Sequence, residues 1–110
     1  MKESDWKIFK RVKEKALERF CATSISDIEE AIEGDIDSFH GKYIYIYRLL
    51  ENADKCLSIL FDDHSRSKAP LQLALLRSEG LIEEDELEGL SDELRKSTEP
   101  NDKKMPNKAN

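Results

Sequence analysis

Apolar residues recur every three or four positions along most of the first sixty residues, and that period predicts helices. Trp6, Phe9, Val12, Ala16, Leu17, Phe20, Cys21, Ile28, Ala31 and Ile32 make one stripe. It begins after a candidate cap at Ser4 or Asp5 and ends at Gly34, where a helix C-cap is expected. The span suits one helix of about 28 residues, roughly 40 Å long. Thr23, Ser24 and Ser26 weaken its middle, so a kink or break is expected there.

After a turn over 34–38 with a second cap, Phe39, Tyr43, Ile46, Leu50, Ala53, Leu57 and Leu60 alternate at four- and three-residue spacings. That is a coiled-coil-like seam, and Tyr45, Leu49, Cys56 and Ile59 form a second apolar row beside it. Arg48, Glu51 and Lys55 take the far side. Two apolar rows predict two neighbours, and hence the central helix of the fold. Tyr43 to Tyr47 has strand-like composition, but the heptad register runs through it and favours helix.

Ser67 is placed to cap a third helix, with Pro70 in its first turn. Leu71, Leu73, Ala74, Leu75 and Leu76 make that helix apolar nearly all round, so it should be well buried. Gly80 ends it. Residues 81–87 read as a sharp turn into a short helix, and Ser91 caps another through about Lys96. The segment 75–87 resembles the helix–Gly–acidic-helix end of SHOCT-type modules without their following lysines; any tight helix-to-helix turn favours this pattern, and no family is assigned from it. From Ser97 to Asn110 the chain is polar and is expected to be a disordered tail. The fold expected is therefore all-α: one domain over 1–96, with a long antiparallel helical hairpin, a buried third helix and short C-terminal helices.

Composition agrees with this reading. With 110 residues, 38% of them charged and only four glycines, the chain suits solvent-facing helices better than a turn-rich sheet. A net charge of −6 argues against broad affinity for nucleic acid or anionic membrane. No signal peptide or membrane span is read, which makes a cytoplasmic location the expectation. Cys21 and Cys56 lie among apolar residues without a C-x-x-C spacing and read as buried free thiols.

Charge is segregated along the chain. Residues 1–20 are net basic, 21–37 carry six acids and no base, and 78–94 carry eight acids and no base. The first helix thus opposes its own macrodipole and needs compensation from outside. In a hairpin turning at 35–36, Lys7, Lys10 and Arg11 would face Asp62 and Asp63, and weak surface ion pairs are expected there. The same register offsets the two cysteines by six residues, about 9 Å, which is too far for a disulfide.

The best candidate for metal binding or acid–base work is Asp62, Asp63 and His64, with Arg66 close by. Consecutive side chains at a helix end fan apart, and His40 lies at the other end of the central helix. One chain brings His40 near only if the helix breaks; an antiparallel dimer through the central helices is the other way. No phosphate loop, zinc spacing, calcium loop or nucleophile motif is present, and no cofactor is implied. The leading expectation is a non-enzymatic interaction or regulatory protein that acts as a homodimer, built as four helices from two hairpins, with a monomer whose third helix covers the second row as the alternative. Glu83, Glu84, Asp85, Glu86 and Asp92 are the candidate contacts for a protein partner, basic by charge. The competing class is a metal-dependent enzyme or metal sensor using Asp62, Asp63 and His64, with His40 from a second chain. A third is an acidic inhibitor that mimics nucleic acid.

Overall fold

The computed structural model describes residues 1–35 and 38–100. Helix α1 (Glu3–Glu33) runs antiparallel to α2 (Phe39–Phe61); α3 (Ala69–Ser78), a 3-10 turn (Glu84–Leu87) and α4 (Asp92–Ser97) follow. The pairing direction is fixed at both ends. Arg66, beyond the end of α2, meets Glu3 at the start of α1, and Lys42 Nζ donates to the Ile32 carbonyl at its end. The all-α hairpin expected from the periodicity is the fold observed, and the Tyr43–Tyr47 stretch is helix.

Several local expectations are corrected. α1 is continuous through Thr23–Ser26. Ser24 Oγ donates to the Phe20 carbonyl 3.1 Å away, so the hydroxyl that competes with helix elsewhere is satisfied inside it. Neither Ser4 nor Asp5 caps α1, which starts on Lys2 without a side-chain cap. Asp5 is released for a longer reach described below. Ser67 does not cap α3 either: Lys68 holds that position, and Pro70 lies in the first turn. Ser38 does cap α2, its Oγ accepting from Gly41 N at 2.9 Å. Gly80 has φ +74°, and the amides of Gly80 and Leu81 bond back to the carbonyls of Arg77 and Leu76. This is a Schellman turn, which favours glycine at that place.

The core occupies only the base of the hairpin. Phe9 and Val12 pack with Ala69, Leu73, Leu87, Leu90 and Leu94, while Ala16 packs with Leu60, Phe61 and Leu76. Two residues assigned to the expected polar tail belong to the head instead: α4 includes Ser97, and Thr98 is buried with its hydroxyl donating to the Leu94 carbonyl. The rest of that tail, 101–110, lies outside the described residues. The radius of gyration is 17.0 Å, against about 13 Å for a compact chain of this length. The excess is the distal hairpin, which projects from the head along a long axis of 53 Å.

Candidate interaction surface

Long-range polar pairs build the head. Asp5, 3% exposed, accepts from Ser91 N at 2.9 Å and from Ser91 Oγ at 2.7 Å, so α1 grips the residue that caps α4. Arg77, its side chain 4% exposed, donates to the Arg95 carbonyl, to Thr98 Oγ1 and to Glu84. Arg19 clasps Glu86 with two bonds of 2.7 and 2.5 Å and also donates to the Leu81 carbonyl. The Arg19 hydrogen bond holds the Glu86 carboxyl well below its usual range, at about 2.

These pairs redistribute the acidic residues singled out in the sequence. Glu86 is only 11% exposed and is engaged by Arg19, with Lys15 at 3.9 Å. Glu84 bridges Arg77 and Arg95. Glu83 and Glu86 form a reciprocal capping box for the 3-10 turn. Asp85 and Asp92 are exposed in the first turns of their elements, where negative charge favours the helix dipole. Much of the acidic run therefore has an internal structural role.

Asp63 and His64 take different partners. Asp62 caps the end of α2, Asp63 takes the left-handed conformation with φ +71° and lies 3.9 Å from Lys68, and the exposed His64 lies over α1. Its Nδ1 is 3.2 Å from Lys13 Nζ and its ring lies against Trp6. Lys13 also donates to Gln72 Oε1 at 3.1 Å. Burial pushes the Lys13 amine below its ordinary range, with Asp63 and Asp62 partly opposing it. Lys13, rather than Lys7, Lys10 or Arg11, is thus the base that reaches this loop. His40 stands in the first turn of α2, at the opposite end of the hairpin. No group of three His, Cys, Asp or Glu residues is placed to hold a metal among the described residues.

The hairpin register also departs from expectation. Phe20 meets Phe61, and Ser24 shares a cleft with Asn52, several residues beyond the predicted pairing. That register brings Cys56 alongside Phe20–Ser24, the turn that contains Cys21. The predicted offset between the cysteines is therefore lost. Both are free, but Cys21 is only half-buried and Cys56 is exposed, so the expectation of buried thiols is wrong.

The largest anomaly is apolar exposure on the distal hairpin. Between positions 17 and 59, Ala31 alone among the described residues is buried. Phe39 is 92% exposed, Tyr43 71%, Tyr47 57%, Leu50 54%, Ile25 57% and Ile32 52%. α3 does not cover the second row of α2 as the monomeric alternative required, since Cys56 and Ile59 stay exposed.

These side chains form one face. At about 100° per residue, Cys21, Ile25, Ile28 and Ile32 fall to one side of the α1 line that meets α2. Phe39, Tyr43, Tyr47 and Leu50 fall to one side of the α2 line that meets α1. Both displacements go the same way round in residue order, and in antiparallel helices that puts them on the same side of the hairpin. Thr23, Asp27 and Glu30 share clefts with Asn52 and Tyr45 on the opposite side, where Gly80 and Leu81 of the head also lie. The apolar face is thus turned away from the head. The charges that border it on α2 are Asp54, one turn beyond Leu50, and Glu51, which accepts from the Tyr47 hydroxyl at 3.5 Å. Soluble monomers rarely leave a contiguous apolar patch of this kind open. No helix of the described chain is long and apolar enough to cross a membrane. Comparison with protein-family models, curated proteins and solved structures finds no match to this chain.

Proposed function

We propose that this is a non-enzymatic helical interaction or regulatory protein that works as a homodimer, with the open face of the distal hairpin as its principal contact surface. The observation that carries the reading is the uncovered strip of Phe39, Tyr43, Tyr47 and Leu50 beside Ile25 and Ile32. Burying such aromatic and branched side chains contributes about 1.5–3 kcal/mol each before the costs of association. Two hairpins joined through this face make a four-helix bundle, the usual solution for paired amphipathic hairpins. Against the metal-enzyme reading, Asp63 and His64 turn to Lys68 and Lys13 rather than toward each other.

Native mass spectrometry of the untagged full chain, before and after chelator, tests this reading. A metal-free dimer is expected. A stoichiometric metal lost on chelation, or a chain that stays monomeric at high micromolar concentration, contradicts it.

A further inference from the structure

We propose that the side of the distal hairpin opposite the open apolar face is a docking groove for a basic amphipathic helix of a partner protein. The proposal does not depend on the dimer, whose face lies on the other side.

The groove continues a bed that the chain half fills itself. Near the base α3 rests on both long helices, its Leu76 packing with Ala16 of α1 and with Leu60 and Phe61 of α2. α3 ends at Ser78, and Glu79 and Gly80 form the near wall of a cleft between residues 20–27 of α1 and 49–56 of α2. A second cleft, between Ala31 and Tyr45, adjoins it at Asp27 and runs on to Gly34 and Gly41. The two measure about 490 and 510 Å³, enough to seat side chains rather than single waters. From Phe20 to Gly34 the groove is about 21 Å long, which matches a helix of about 14 residues. Its walls are helices whose backbone groups are already paired, so an extended segment finds no backbone partners there. A helix brings its own.

Charge selects the kind of helix. The charged residues lining the two clefts are Asp27, Glu30 and Glu79, with no base among them. None of the three has an ion-pair partner among the described residues. Glu84 and Glu86 of the head, by contrast, are engaged by arginines. On α2, Lys42 is held by the Ile32 carbonyl, and Arg48 and Lys55 lie toward the far side. The negative end of the α3 dipole also points at the groove, since α3 terminates there. Unpaired carboxylates beside apolar walls suit a helix whose apolar residues enter the clefts and whose lysine or arginine stems run over the rim to reach the acids. Nucleic acid and anionic lipid carry the same sign as the groove and are repelled by it.

The probe is a fluorescent, end-capped leucine–lysine peptide of about 14 residues, with leucines on one helical face and lysines flanking them. Its anisotropy is titrated with the native full-length chain and with variants at exposed positions whose thermal unfolding is checked first. Saturable binding is expected, weakened at least about tenfold by Asp27→Lys with Glu30→Lys. Asn52→Trp, which fills the groove without changing its charge, should weaken it as well. Asp85→Lys with Asp92→Lys, the same charge change placed on the head, should leave binding little altered. Equal losses in the two charge-reversed proteins report attraction to net charge alone and overturn the groove. Binding that survives Asn52→Trp overturns it too, as does binding lost in Tyr43→Lys but kept in the Asp27→Lys, Glu30→Lys protein, which puts the peptide on the open face. No saturable binding up to high micromolar concentration also overturns the proposal.

Discussion

At the scale of single residues, three polar contacts hold the C-terminal third of the chain on α1 and α3. Asp5 binds Ser91, Arg19 binds Glu86, and Arg77 binds Thr98 and the Arg95 carbonyl. Asp5→Ala leaves the Ser91 amide and hydroxyl without their acceptor and is expected to cost about 1–3 kcal/mol, read as a lower denaturation midpoint. The Glu86 carboxyl, held at about 2 in the folded protein, titrates nearer 4.5 when unfolded. Its contribution is therefore complete above the unfolded value and is lost as pH falls toward the folded one. Acid should destabilise the protein between about pH 4.5 and 2, and Arg19→Ala should flatten that part of the pH–stability curve. Periodicity does not encode these contacts. Asp5 and Ser91 are far apart in sequence, and a buried aspartate looks like a helix cap until the partner segment is in place.

At the scale of elements, the helices were legible because each depends on local spacing and on ends set by nearby residues. Gly80 and Ser38 end and begin helices for reasons visible within a few positions. Some misreadings were local, as at Ser67 and mid-α1, and others fell where tertiary contacts decide. The register of α1 on α2 could not be read from a turn midpoint, so Lys13 rather than Lys7 or Lys10 reaches the Asp62–His64 loop. The hydroxyl residues of mid-α1 do not break it, since Ser24 bonds its own helix. Ser24→Ala on this half-buried turn is expected to stabilise by a few tenths of a kcal/mol, in line with the helix preference of alanine, and thermal unfolding checks it. The compensation demanded by the misplaced charge of α1 is partly local, because Lys42 reaches the carbonyl of Ile32 near the helix C-terminus.

At the scale of the molecule, one chain joins a well-packed head to a hairpin that has almost no buried core of its own. The sequence displayed the apolar rows of α2 but not which of them α3 would leave open, because that depends on where α3 packs. Its core contacts reach Leu60 and Phe61, at the base, and leave Phe39 to Leu50 uncovered. In the proposed dimer the partner supplies the burial this hairpin lacks, so its amides should lose hydrogen-exchange protection in a monomeric variant while those of Phe9, Leu73 and Leu76 keep theirs.

The central claim is that the open face joins two copies of this chain. Sedimentation velocity of the full chain beside Tyr43→Lys, across a concentration series into the high micromolar range, tests it most directly. The account predicts a dimer for the native chain and a folded monomer for the variant, with the cooperative unfolding of the head retained. A native chain that sediments as a monomer throughout, or a variant that dimerises as well as the native chain, contradicts it.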